Sequence, residues 1–490
     1  MNEIYKPIIG LEVHVQLKTK SKMFCSCPVE FGLAPNTNIC PVCTGQPGTL
    51  PVVNKKAVEL ALKTALSLNC TISKNSVFAR KNYFYPDLPK NYQISQYEEP
   101  VAVNGAITIE LKETGINKKI GITRVHLEED PGKLFHALGS RELDYSLVDY
   151  NRSGVPLIEI VSEPEIASAE EAYEYLSTLK KTLQYLDVSD CDMEKGSLRC
   201  DANISVMKTT DKQFGTRAEV KNMNSFKAVK EAINYEIARQ INLLNEGGKI
   251  VQETRLWDER HEQTSSMRSK EEAHDYRYFP EPDLTPFIFT DDLLQSLQKE
   301  IPELPGKRKE RFISEYKLSD YDSEVLVKEK PLADYFEKSL SYIKTESNLS
   351  AISKLLANWI TTELLGKLNA ENKTIEQSRV GPENMSALIG LIEKNTISGR
   401  TAKDVFNDMY LTGKKPTDIV KEKGLVQISD ESEIIKVVEE AVRENPKAAD
   451  EFKAGKKQAL GAIMGAVMKK TSGKANPQIV NKLLQEILTK

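Results

Sequence analysis

The chain has 490 residues, 71 acidic and 67 basic side chains, a formal net charge of −4 and an ordinary apolar content of 40%. Length alone predicts several domains, because single cores stop growing near roughly 250–300 residues. No apolar run approaches the ~18–20 residues of a membrane span, and MNEIYKPIIG carries an early acid and no apolar leader core, so a cytoplasmic protein is expected.

PIIGLEVHVQL alternates at period two, AITIEL and KKIGITRVHLEED do the same, and PLIEIVSEP is an apolar run closed by proline, all of which predict strands. Helical spacing interrupts them at Lys55 to Leu68, at Ser168 to Leu186, and in SFKAVKEAINYEIARQINLLNEGG, which Gly247 and Gly248 end as a C-cap would. The pattern predicts an α+β fold with a mostly antiparallel sheet, a cradle with helices, over residues 1–290. After FPEPDLTPF the strand signals stop. DDLLQSLQKEI, Lys307 to Tyr316, LADYFEKSLSYI and Leu349 to Leu368 read as helices, and TGKKP marks a further boundary near Thr412 to Pro416. An all-α domain over 291–411 and a small helical tail domain over 412–490 are therefore expected. The tail should hold helices at Glu433 to Arg443 and Gln458 to Lys470; in the second, Leu460, Ile463, Met464, Val467 and Met468 form an apolar stripe.

Seven cysteines in a chain without a leader do not suggest a disulfide framework. Four are nevertheless clustered: Cys25 and Cys27 in CSCP, Cys40 and Cys43 in CPVC. Two close pairs joined by a short connection form a zinc-ribbon pattern, in which four thiolates close a tetrahedral site and leave no position open for chemistry. The alternative is a set of reduced thiols in a loop. Cys70, Cys191 and Cys200 are scattered and read as small buried residues.

Acids and one imidazole recur in the strand-rich part: Glu12 and His14 in GLEVHVQL, Glu128 and Glu129 in HLEEDPGK, Asp201 in RCDANISV, and Glu219 in TRAEVKN. Residues two apart on a strand share a face, so Glu12 and His14 can approach one ion. Glu128 and Glu129 are adjacent, and which of them joins that ion stays open. Oxygen donors with one imidazole suit magnesium or manganese, the usual partner of phosphate. ARKNYFYPDLPKNYQISQ adds Arg80, Lys81, Tyr83, Tyr85 and Lys90, and later segments add Arg199, Lys221 and Asn222; cations offset phosphate charge and tyrosines stack bases. No Walker A sequence, nucleophile elbow or kinase signature is present.

From Phe452 onward eight lysines face one glutamate, and Lys456, Lys457, Lys469, Lys470 and Lys474 are the nucleic-acid-binding candidates of the tail. Solvated lysines on helical faces are the alternative.

GLEVHVQL, RKNYFYPDLPKNYQISQ, LVDYNRSGVPLIEIVSEP, GSLRCDANIS, AEVKNMNSF and DYRYFPEPDL together closely resemble the GatB/GatE family, the B subunits of tRNA-dependent Asp/Glu amidotransferases, and GKANPQIVNKLL carries the resemblance into the tail. The resemblance implies a heterotrimer with an amidase-type A subunit that hydrolyses glutamine and a small C subunit. It implies ATP-dependent phosphorylation of the side-chain carboxylate of Glu-tRNA(Gln) or Asp-tRNA(Asn), followed by amidation of the acyl phosphate. It makes Glu12, His14, Asp201 and Glu219, with Glu128 or Glu129, candidate Mg2+ ligands. Lys81 and Tyr83 become candidates for the reactive pocket, and Arg80, Arg199 and Lys221 for ATP binding. His14 is read as a ligand, with proton transfer the alternative. A noncatalytic tRNA scaffold and a metal-dependent phosphohydrolase are the competing functions.

Overall fold

The computed structural model describes residues 5–139, 141–269, 273–343, 348–426, 431–471 and 475–489. The chain divides into two compact units, Met1–Leu304 and Pro305–Lys490.

The first unit is built on a nine-stranded sheet. Its strands in chain order are β1 (Tyr5–Gln16), β2 (Thr71–Ile72), β3 (Ala102–Leu111), β4 (Ile116–Glu129), β5 (Pro156–Ser162), β6 (Leu198–Lys208), β7 (Ala218–Lys221), β8 (Glu253–Asp258) and β9 (Gln263–Ser269). They lie in the order β9-β8-β7-β6-β1-β5-β4-β3-β2. Every pairing is antiparallel except the parallel β7–β8.

Alternation decides which face of this sheet does what. In β1, Ile9, Leu11, Val13 and Val15 are fully buried, whereas Gly10, Glu12 and His14 between them remain partly exposed on the other face. The apolar face is covered by α1 (Lys55–Ser67), α2 (Ala169–Tyr185) and α3 (Phe226–Asn245), whose Leu60, Leu176, Leu179, Val229 and Ile233 share one core with β1. Each helix starts on a side-chain cap, Asn54, Ser168 and Ser225 respectively, that accepts from the free backbone N–H groups of the first turn. α3 ends at Asn245 with Gly247 beyond it in the left-handed region, φ +79°.

One helix expected in the second domain belongs to the first unit. α4 (Asp291–Glu300) packs Leu293, Leu294 and Leu297 onto the sheet core beside α1, so this core runs past residue 290 as far as Leu304. Short-range periodicity announces the helix but not the surface that covers it.

The second unit is all helical among the described residues and holds two cores. One runs from Phe312 to Val420 and includes Phe336, Leu356, Ile360 and Phe406. The other runs from Ile434 to Leu488. The expected single helix over Leu349 to Leu368 is Leu349–Asn358, a π-helical turn Trp359–Leu364, then Leu365–Ala370. TGKKP ends a helix at Thr412 on left-handed Gly413, but helix Pro416–Glu422 still buries Ile419 and Val420 in the earlier core. The last core unites helices Glu431–Glu444, Pro446–Lys453, Leu460–Lys470 and Pro477–Thr489, with Ile463 and Val467 of the expected stripe fully buried. No helix among the described residues is long and apolar enough to cross a membrane.

A candidate metal-dependent active site

The polar face of the sheet is a concave cleft of about 1030 Å³. Strand register writes its floor as rows. Arg199 of β6 pairs with His14 of β1, His14 with Glu159 of β5, and Glu159 with His126 of β4, so four neighbouring strands set cationic and anionic groups side by side. The next row places Asp201 beside Glu12, and the row after that places Glu219 beside Asn203.

The acids gather into two trios, His14–Glu128–Glu159 and Glu12–Asp201–Glu219, in each of which the candidate donor atoms all lie within 4.8 Å of one another. In the first, His14 Nε2 stands 3.4 Å from Glu159, and His126 Nε2 lies 3.2 Å from both Glu128 and Glu159. Ser95 Oγ donates to Glu128 at 2.6 Å and Gln93 Nε2 at 3.3 Å. In the second, Asn203 Nδ2 donates to Glu12 at 2.8 Å and Thr254 Oγ1 to Glu219 at 2.9 Å, while Lys221 forms an ion pair with Asp201 and lies 3.5 Å from Glu219.

Burial opposes ionisation throughout, and close opposite charges overcome it. His126 is fully enclosed, yet Glu159 and Glu128 raise it to about 9. Glu128 would be raised by burial but is brought down to about 2, chiefly by the His126 hydrogen bond, with Lys81 contributing. Glu159 lies well below the ordinary carboxylate range against its own burial, held there by His126 and His14. Lys81 is raised despite burial because Glu128 faces it. Glu128 and Glu159 are thus held in their charged form, close to the cationic His126 and Lys81. Hard oxygens in both trios, with one imidazole in the first, fit magnesium or manganese.

The remaining expected site residues fall in different places. Lys81 and Lys221 line the cleft. Glu129 does not: it turns away from Glu128, accepts from the Ile94 backbone N–H at 3.0 Å and pairs with Lys90. Arg80 is a strut instead of a cleft residue, with its guanidinium bidentate on buried Glu281 at 2.7 and 2.9 Å and 4.2 Å from the Tyr92 ring centroid. Arg199 lies beside His14 in the strand row but is not part of the cleft lining; buried Asp130 holds it at 2.7 Å. Tyr83 meets Tyr276 edge-on at 6.0 Å and is not part of the cleft lining.

Sequence reading passed over Glu159 and His126. A signal was available for each: Glu159 is a charge inside the apolar run PLIEIVS, and His126 stands two residues before Glu128, repeating the spacing of Glu12 and His14.

The sulfurs of Cys25, Cys27, Cys40 and Cys43 lie within 4.8 Å of one another, a cluster compatible with structural zinc. Cys43 is held well below the ordinary thiol range by hydrogen bonding with Cys25, by the Cys40 backbone N–H and by the charge of Lys22, whose Nζ is 3.6 Å away. Lys22 itself is buried and donates to Asn38 O at 2.9 Å. Cys70, Cys191 and Cys200 are buried elsewhere.

Of these candidate tail lysines, Lys456, Lys469 and Lys470 are exposed. Lys470 is paired with Glu440 and Glu444 at 2.9 and 2.7 Å, and Lys456 stands 3.8 Å from Glu451. Lys474 and the side chain of Lys457 lie outside the described residues.

Comparison with known proteins matches residues 7–295 to the GatB/GatE catalytic domain and residues 334–488 to the GatB domain. The chain belongs to the GatB/GatE family. It is 55% identical over 486 residues to the B subunit of the aspartyl/glutamyl-tRNA(Asn/Gln) amidotransferase of Carboxydothermus hydrogenoformans, covering 99% of each chain. It is 54% identical over 484 residues to the protein of the same name from Persephonella marina, again over 99% of each. The match to the GatB/GatE catalytic domain spans every residue of both acid trios.

Because Glu159 belongs to the first trio and contacts both histidines, Glu159→Gln should weaken Mn2+ binding at least about tenfold, the scale on which even outer-shell losses act. Titration of free Mn2+ by electron paramagnetic resonance reads this directly; affinity equal to wild type would remove Glu159 from the site.

Proposed function

We propose that this chain is the catalytic B subunit of a cytoplasmic glutamine-dependent amidotransferase. It uses ATP to phosphorylate the side-chain carboxylate of Glu-tRNA(Gln), Asp-tRNA(Asn) or both, and amidates the product with ammonia. The ammonia comes from an amidase-type A subunit, and a small C subunit makes up the rest of a heterotrimer. The observation that carries this reading is the pair of acid trios on one sheet face, inside a single cleft flanked by Lys81 and Lys221.

A carboxylate resists ammonia because it has no good leaving group. Its oxygen attacks the γ-phosphorus of ATP and ADP departs, leaving an acyl phosphate. Ammonia then attacks the carbonyl carbon, loses a proton, and inorganic phosphate leaves as the amide forms. Such phosphoryl transfer asks mainly for positioning and charge neutralisation. Bound magnesium would draw negative charge from the phosphoryl oxygens. His14, Glu128 and Glu159 would hold one ion and Glu12, Asp201 and Glu219 a second. Lys81 and Lys221 add fixed positive charge, and Ser95, Gln93, Asn203 and Thr254 fix the carboxylate orientations that set ion geometry.

In the purified heterotrimer supplied with ATP, glutamine and each mischarged tRNA, Glu12→Gln should cut amidation by at least about a hundredfold while glutamine hydrolysis by the partner continues. Undiminished amidation defeats the catalytic reading, and cleaved RNA in place of amidated aminoacyl-tRNA favours a phosphohydrolase.

The four-cysteine cluster is read as a structural zinc site. Metal analysis of freshly purified protein should find one zinc per chain, and Cys43→Ser should lose both the zinc and thermal stability. Zinc-free wild-type protein would dispose of this assignment.

The tail is read as a tRNA-binding module. A chain ending after residue 426 keeps the core that includes Val420 and should bind tRNA more weakly, with a shallower dependence of affinity on salt. Equal affinity at every salt concentration would rule the tail out.

A further inference from the structure

Four tyrosines stand together outside the sheet core, since Tyr83, Tyr97, Tyr276 and Tyr278 are absent from the apolar cluster beneath the sheet. Tyr97 and Tyr278 stack with ring centroids 4.4 Å apart and planes 9° from parallel. Tyr276 abuts Tyr278 edge-on at 6.1 Å, and Tyr83 abuts Tyr276 in the same way at 6.0 Å, so the stack is braced from one side. The segment carrying Tyr278 is anchored by pairing of Phe279 with Arg80 and by the Arg80–Glu281 ion pair. Tyr97, Tyr276 and Tyr278 line the cleft, and Tyr97 keeps 37% of its surface exposed. Folding alone gives little reason to stack two rings at the wall of a polar cleft. Beside them, Arg124 also lines the cleft, its charge acts on the Tyr278 hydroxyl, and its Nε is buried with no hydrogen-bond acceptor.

We propose that the Tyr97–Tyr278 stack seats an adenine ring and that Arg124 takes a phosphate oxygen of the same nucleotide. Base–aromatic stacking and a guanidinium donor are contacts by which a protein holds a nucleotide without base-specific readout. The inference rests on the proposed function, in which two substrates carry this chemistry: ATP, and the terminal adenosine of an aminoacyl-tRNA.

The experiment compares Tyr97→Leu, Tyr278→Leu and Arg124→Gln with wild type in the heterotrimer, measuring KM for ATP and for aminoacyl-tRNA separately. One of the two KM values should rise about 5- to 150-fold, the range lost with one base–ring stack, and the substrate affected identifies the source of the adenine. Tyr97→Phe and Tyr278→Phe, which keep the ring, should restore most of the affinity. Equal KM values for both substrates in all three disruptive variants overturn the proposal, as does a rise in both KM values together with a loss of thermal stability. If the leucine variants do not assemble, Arg124→Gln still decides, because it leaves the rings in place. Equilibrium binding of ATP and of an uncharged tRNA needs no turnover. A wild-type complex that makes no amide while the variants lose binding would therefore sink the functional reading and leave the stack standing.

Discussion

Everything in the first unit depends on the two-residue repeat of a strand held at the middle of a sheet. β1 has a partner on each side, β5 and β6, and a face buried beneath helices. A slip of one residue would send Glu12 and His14 into the core and Ile9, Leu11 and Val13 into the cleft. Burying unpaired charges costs several kcal/mol each by general estimates, so register and acid placement are enforced together. The apolar packing of α1, α2 and α3 offsets the repulsion of acids crowded on the opposite face. The site is expensive to assemble on its own terms and is held by a core that takes no part in its chemistry.

Local pattern made much of this legible. Alternation in GLEVHVQL gives both the strand and the shared face of Glu12 and His14, and the four cysteines show their spacing openly. What escaped depends on distant partners. Arg80 beside tyrosines reads as a phosphate binder, but its carboxylate, Glu281, comes 201 residues later in the chain. Glu159 hides in a run that is apolar and mostly buried, and only pairing with β1 and β4 shows that it sits in the row of His14 and His126. Glu128 and Glu129 look equivalent as letters and are opposites on a strand.

The second unit teaches the same lesson about boundaries. Composition changes at Asp291 because strands end there, yet a helix can complete the core of the sheet that precedes it, as α4 does with Leu297. TGKKP breaks a helix without breaking a core, since Val420 beyond it is buried with the residues before it. A turn signal reports backbone geometry, and a domain edge is a property of which side chains exclude water together.

The opposed orientation of Glu128 and Glu129 has a mechanical side. Glu128 belongs to the cleft, while Glu129 is tied to Lys90 in a small cavity that Cys25 and Cys43 also line. One peptide unit is therefore shared by the acid trio and the surroundings of the cysteine cluster. A peptide plane is close to rigid, so the Cα atoms of the two acids keep a fixed separation at that point. The end of β4 thus presents one acid to the cleft and the next to the cavity beside the cysteine sulfurs, so a shift of that peptide would be felt on both sides of the strand.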